Sequence, residues 1–399
     1  MSALIWIAVG LLVLWAVAWA FRLAGQKATG NKPYFRDMPL GVAFGYVFAA
    51  AAIAFSAWYF FQPRVVDAVP QAGVIFFRWA VIGLLGFAAA SWVFRTIFRT
   101  VGTEGSKKLF RSMPLTAAFG VLIIIIYAIV SIFAGVLAPY GQEEILGAAN
   151  VVAGGDPALG GDPEFPLGTD QIGRDILSRL IFGAQNTVGI AFVTTCLAFF
   201  LGGSLGFLAA VLGGWLDQLL SRMVDALMAI PSLIFSLLLM TIATAWAGSE
   251  AWLVTIYMIF IIAVIDSTRV FRLSRAVGQS IVVMDYIEAA KLRGEGMGYL
   301  IFREILPNAV APLLAEFGLR FCFVFLTIAS LSFLGVGIQP PKADWGTMVR
   351  DLSQFINFAA FAPNVAVTPL LAAGAIALLT VAVNFVVDWM LHKSSGLKE

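Results

Sequence analysis

Little in this chain carries charge or metal-binding chemistry. Of its 399 residues only 12% are Asp, Glu, Lys or Arg, and there is one histidine, His392, and two cysteines, Cys196 and Cys322. A lone histidine near the C-terminus excludes an HExxH motif and any histidine-based metal cluster. Both cysteines fall inside apolar runs, where a thiol packs as a small hydrophobe, so no disulfide is expected. A chain that bound nucleotide itself would need a phosphate cradle of the form GxxxxGK[ST], and none occurs; GEGMGYL at 294–300 has glycines but no lysine after them. A net charge of +2, with no basic stretch interleaved with aromatics, argues against nucleic acid as a partner. The chain is therefore expected to do no covalent chemistry and to hold no cofactor or metal.

What it has instead is apolar surface. Hydrophobic residues make up 61% of the chain, 34 of them phenylalanine, and the mean hydropathy is +0.93. That composition describes an all-α polytopic membrane protein, since a helix needs about 20 apolar residues to cross a core about 30 Å thick. Nine runs approach this length: 3–21, 40–61, 74–94, 115–138, 188–212, 226–247, 251–268, 309–336 and 366–391. The first is read as a retained helix and not as a signal peptide, because no basic residue precedes it while Arg22 and Lys27 follow. Lys and Arg concentrate in the segments 22–39, 95–114, 269–308 and 392–399. Cytoplasmic loops hold such an excess, so the N-terminus is expected outside and the C-terminus in the cytoplasm.

One cytoplasmic segment stands out. Asp285 to Asn308 reads DYIEAAKLRGEGMGYLIFREILPN, a polar island between two long apolar runs. Helix formers fill Tyr286 to Arg293, glycines follow at 294, 296 and 298, and helical spacing resumes at Leu300, Ile301 and Ile305 before Pro307. The expected product is an elbow of two short helices at the membrane surface.

The order Glu288-Ala289-Ala290, then Gly294, then Leu306-Pro307-Asn308 resembles the EAA loop of permeases of bacterial ABC importers, in the form found in the dipeptide, oligopeptide and nickel group. Two further stretches are similar to the same group. Leu167-Gly168-Thr169-Asp170 with Gly173-Arg174-Asp175 and Ser178-Arg179 matches an LGTD…GRD…SR signature, and Ala329 to Val349, ASLSFLGVGIQPPKADWGTMV, matches SFLGLG…PP…WG. The resemblance starts near Lys107 and implies a type I ABC importer transmembrane fold of six helices, here preceded by about three extra ones. It divides the chain into 1–106 (extra helices and a basic linker), 107–187 (first family-like helix and outer loop), 188–391 (the transmembrane domain) and 392–399 (a tail).

The resemblance also implies partners: a second homologous permease, two ATPase subunits that bind ATP and Mg, and an external substrate-binding protein. Membrane lipids surround the assembly. On this reading Glu288, Ala289, Ala290, Gly294, Leu306 and Pro307 couple to an ATPase, and the chain imports short peptides across the inner membrane by ATP-driven alternating access. A permease for nickel or another small solute, and an ion-gradient-driven secondary transporter, are the alternatives. The sequence departs from the group at Ile328, where many relatives carry an acid, and at Glu304, where many carry histidine.

Other readings rest on the residues themselves. Asp170, Arg174, Asp175 and Arg179 suit contacts at a helix start, with Thr169 or Asp170 as N-cap, and either brace the outer loop or receive the binding protein. Gly202, Gly206 and Ala210 recur every fourth residue, a pattern that lets helices approach closely. Asp217, Arg222 and Asp225 fall in a short inner turn, and Pro231 is expected to kink helix 226–247. Arg269, Arg272 and Arg275 are expected to meet anionic headgroups or an ATPase. Glu316 and Arg320 are spaced to pair, as a structural bridge or as part of the pathway. Arg78, near the end of its run, either snorkels or serves within the membrane.

Overall fold

A computed structural model of the chain describes residues 15–26, 42–47, 50, 72–101, 103–155, 157, 160–248, 250–358 and 366–394. It divides into two units, Met1–Pro70 and Gln71–Glu399. In the first, helical residues at 15–26 and 42–47 meet through Ala18 and Ala43, with the rings of Trp15 and Phe44 5.2 Å apart. Most of the runs 3–21 and 40–61 lies outside the described residues, as does the side chain of Arg78.

The described residues of the second unit are mostly helical, and the irregular segment 138–175 carries two isolated β-bridges. Its long elements are α1 (Ala72–Thr100), α2 (Glu104–Ser112), α3 (Leu115–Ile132), α4 (Ile176–Gly183), α5 (Gly189–Leu212), α6 (Gly214–Met228), α7 (Ser232–Ala247), α8 (Ala251–Val282), α9 (Asp285–Leu292), α10 (Leu306–Phe333), α11 (Trp345–Leu352) and α12 (Thr368–Ser394). Six helical stretches among the described residues are long and apolar enough to cross a membrane: Ala80–Thr100, Leu115–Ile132, Ile176–Leu212, Ala251–Val282, Met297–Phe333 and Thr368–Lys393. A seventh crossing is available if α6 and α7 together make one broken span.

The runs read from the sequence are longer or more broken than hydropathy alone indicates. Helix 188–212 in fact begins at Ile176, because α4 continues into α5 through a π-helical turn at Ala184–Val188. The run 226–247 is not one kinked helix: α6 and α7 meet at 87°. Pro231 sits in the break, with φ −55° and ψ 122°, and α7 starts directly after it. What looked like a short inner turn at Asp217–Asp225 is most of the 15-residue helix α6.

Packing depends on small residues where helices touch. A side chain at Gly202 would strike the Ser267 carbonyl, and one at Gly206 would come within 2.7 Å of the Phe271 carbonyl, so α5 lies backbone to backbone on α8. From the other side, a Cβ added at Gly278 of α8 would come within 2.8 Å of the Ala210 methyl. In lipid such contacts replace the hydrophobic effect as the source of helix association, because tails are as apolar as the side chains. Helix α3 lies against α12 in the same way at Gly120, where a Cβ would strike the Ala382 carbonyl, and Tyr127 donates to the Ala375 carbonyl at 2.9 Å. The main core joins these helices around Met240, Met258, Ile262, Phe325, Leu331 and Trp345.

Candidate functional site

The polar island forms the elbow at one end of this bundle. Helix α9 ends at Leu292; the Gly294 N–H returns to the Lys291 carbonyl at 2.9 Å and the Glu295 N–H to the Ala290 carbonyl at 3.2 Å. That closure needs a left-handed residue, and Gly294 has φ +81°. Gly296, with φ −76°, needs no such freedom, so the three glycines are not equivalent. The second arm is not a short helix. Met297 leads through a π-helical turn at Leu300–Ile305 into α10, so elbow and spanning helix are one continuous rod, with Pro307 in its first turn.

One face of the elbow is fastened down. Ile287, Ala290, Leu300 and Ile305 are buried with Phe207, Ile281 and Ala309, which come from the ends of α5, α8 and α10. Burying each large aliphatic here contributes about 1.5–3 kcal/mol. The opposite face is bare: Leu292 is 84% exposed, Val283 78% and Phe302 66%. Of the residues that the sequence assigns to coupling, Glu288, Ala289, Gly294 and Pro307 are therefore on the open surface, while Ala290 is buried and Leu306 half-buried in the plug beneath it.

Beside the elbow, the three arginines of α8 do not stand free. Arg275 binds both carboxylate oxygens of Asp217, through Nε to Oδ1 and from NH2 to Oδ2 at 2.6 Å. Arg272 donates to Asp225 at 2.7 Å, and Arg269 lies 3.6 Å from Asp266. The first two pairs hold α6 to α8, an intramolecular role that the sequence reading did not assign to them. A bidentate guanidinium fixes the angle between two helices as well as their separation.

The outer-loop signature folds into a knot. Asp170 accepts from the backbone N–H of Ile172 and of Arg174, at 3.1 and 3.0 Å, and from Arg174 Nε at 2.7 Å. Thr169, 2% exposed, accepts from the Val151 N–H and donates to the Ala148 carbonyl. Gly168 and Gly173 have φ +79° and +83°, and a side chain at Gly168 would strike the Val151 carbonyl. The helix cap is neither Thr169 nor Asp170 but Asp175, which accepts the Ser178 N–H at 2.7 Å. The chain is still turning at 169–174, too early for a helix to need its cap.

This knot is tied to the segment 341–345. Arg179 NH1 donates to the carbonyl of Gln142 and, at 3.4 Å, to that of Pro341. Asn186 reaches the Ala343 carbonyl at 2.6 Å, Thr187 donates to Asp344 at 2.8 Å, and the Trp345 indole N–H donates to the Leu180 carbonyl. Asp344 caps α11 through the Thr347 N–H and is fully buried, and that burial pushes its carboxyl above the ordinary range. At the rim, Tyr140 donates to Glu164 at 2.7 Å, and this bond raises its phenol to about 12.

Comparison with known proteins decides the family. Residues 202–393 match the model of the binding-protein-dependent transport system inner membrane component. The dipeptide transport system permease protein of Haemophilus influenzae is 34% identical over 245 residues, which is 61% of this chain and 79% of that protein. The protein belongs to this family of inner membrane transport components. The dipeptide transport system permease protein of Escherichia coli K12 is 35% identical to this chain, over 61% of the chain and 78% of that protein. A glutathione transport system permease protein of Pectobacterium atrosepticum is 30% identical over 69% and 85%. The chain is thus a multi-pass membrane component of a binding-protein-dependent transporter, and the resemblance carried by the EAA, LGTD…GRD and SFLG stretches holds.

One group of functional interest escaped the sequence reading. Asp266 lies midway along α8, 4% exposed, between Arg269 and, at 3.7 Å, Arg320 of α10. Arg320 also pairs with Glu316 at 2.7 Å, so the expected i,i+4 contact is half of a four-charge cluster. The available signal was that Asp266 is the sole acid in the run 251–268. An ionisable residue within a spanning helix requires a partner or a purpose.

Proposed function

We propose that this chain is the peptide-translocating permease subunit of an ATP-driven importer, with the elbow as the surface that an ATPase subunit pushes. The observation that carries the reading is the two-faced elbow. Its buried side is packed into the ends of α5, α8 and α10, and its bare side offers Leu292, Val283 and Phe302 beside Glu288. A load applied to that surface is passed to α10, which continues directly from the elbow, and to α6 through the Arg275–Asp217 and Arg272–Asp225 pairs.

Alternating access then works as a population shift: ATP favours one arrangement of the ATPase pair, and the elbows of two permeases move together with it. The dipeptide and glutathione systems among the relatives support short peptides as the cargo. The positive-inside bias supports an elbow in the cytoplasm and the 139–175 loop outside, facing the binding protein. The test is uptake of a labelled dipeptide into proteoliposomes that contain both permeases, the ATPases and the binding protein. Glu288→Lys and Gly294→Pro are expected to abolish uptake or release the ATPase; undiminished uptake in both would overturn the coupling assignment.

A further inference from the structure

Between α8 and α10 the charges balance, Asp266 and Glu316 against Arg269 and Arg320, yet the cluster is poorly closed. Asp266 Oδ1 is 3.6 Å from Arg269 and 3.7 Å from Arg320, beyond hydrogen-bond length, and it accepts no other bond. Glu316 Oε1 is 2.7 Å from Arg320 Nε but off the N–H direction, so Nε and NH1 of Arg320 are both without a directed acceptor. Arg320 is only 9% exposed. This buried guanidinium has two carboxylate neighbours but gives neither a well-directed bond from Nε or NH1, so it keeps donor capacity for a carboxylate that approaches in plane.

The ring of Phe323 lies over that guanidinium. Phe323 lies 4.6 Å from Arg320 Cζ and 5.9 Å from Arg269 Cζ, and it is 50% exposed on the open face of α10. One turn further along that face, Leu326 begins a groove of about 380 Å³ lined by Ser330, Phe333, Gly346, Val349 and Ile376. Its size falls within the roughly 300–1,000 Å³ of small-molecule sites. An apolar trough that begins one helical turn beyond an aromatic ring stacked near two arginines suits a ligand with apolar side groups and one terminal negative charge.

We propose that this is a transient subsite of the translocation path, in which Arg320 receives the C-terminal carboxylate of a short peptide while its side chains lie in the Leu326–Phe333 groove. The inference rests on the peptide reading above. A planar guanidinium pairs with a carboxylate through two parallel bonds, which a lysine ammonium does not reproduce.

The experiment uses the complete reconstituted transporter, with benzoylphenylalanine in place of Leu326 and radiolabelled Ala-Ala or its C-terminal amide as cargo. Illumination during ATP turnover is expected to attach Ala-Ala to this chain. Per peptide transported, the amide is expected to label about tenfold less, and Arg320→Lys to lower Ala-Ala labelling by a similar factor. Equal labelling by acid and amide would overturn the subsite while leaving peptide transport intact. Cross-linking to the neighbouring permease alone, with uptake unimpaired, would show the groove to be a subunit interface. A wild-type complex that takes up no peptide would remove the peptide reading itself, and this subsite with it.

Discussion

Arg275 of α8 holds Asp217 of α6 by both carboxylate oxygens across 58 residues of sequence. The clamp lies in the first turn of α6, and the Arg272–Asp225 pair holds the other end of that helix, just before the 87° break into α7. It converts two helices beside the elbow into one body.

Breaking the clamp should therefore loosen the end of the bundle that the elbow occupies. Arg275→Ala leaves Asp217, 9% exposed, without its partner, and is expected to cost about 1–3 kcal/mol. The check is the thermal unfolding midpoint of the purified protein in detergent. The exchanged pair Asp217→Arg with Arg275→Asp is expected to recover part of the loss, which no scheme without a direct contact predicts.

The small-residue contact of α5 with α8 gives a paired prediction. Gly206→Leu forces a side chain into Phe271 and Ser274 and is expected to destabilise by about 1–3 kcal/mol or more. Gly374→Ala in α12 meets nothing within 4 Å, and is expected to be neutral or to stabilise by up to about 1 kcal/mol through helix propensity. Unfolding midpoints of the two variants, measured side by side, are the readout.

At the elbow, strain and space separate cleanly. Nothing lies within 4 Å of a Cβ at Gly294, yet its φ is +81°, so Gly294→Ala should cost about 1–2 kcal/mol through the backbone alone. Gly294→Asn should cost less, because asparagine tolerates the left-handed region. ATPase co-purification and dipeptide uptake are expected to rank wild type above Asn, and Asn above Ala.

Asp344 gives the loop end a pH dependence. Burial raises its carboxyl above 3.8, so the folded state holds the proton more tightly than the unfolded chain. The contribution to stability is fully present below the unfolded value and is lost as pH rises toward the folded one. Asp344→Asn cannot titrate, and the difference in midpoint, wild type minus variant, is expected to fall as pH is raised from about 4 toward neutrality. A difference that does not change with pH would contradict a buried, titrating Asp344.

Much of this was legible in the chain. The spans at 115–138 and 366–391 appear close to where hydropathy puts them, and the runs 251–268 and 309–336 lie in the longer helices Ala251–Val282 and Met297–Phe333, because a membrane demands apolar runs of a set length whatever lies beside them. The Asp170–Arg174 contact and the Glu316–Arg320 pair are local, so spacing alone was enough to expect them.

Sequence by itself determined that this protein is a helical membrane transporter component with a charged elbow, because membrane insertion and motif spacing are properties of contiguous residues. Only the tertiary structure decided that Arg272 and Arg275 grip α6, that Asp266 joins Arg320, and that Ala290 turns inward while Glu288 turns out. Those outcomes depend on which residue of a distant helix arrives opposite, and helix periodicity constrains the face of a side chain without naming its partner.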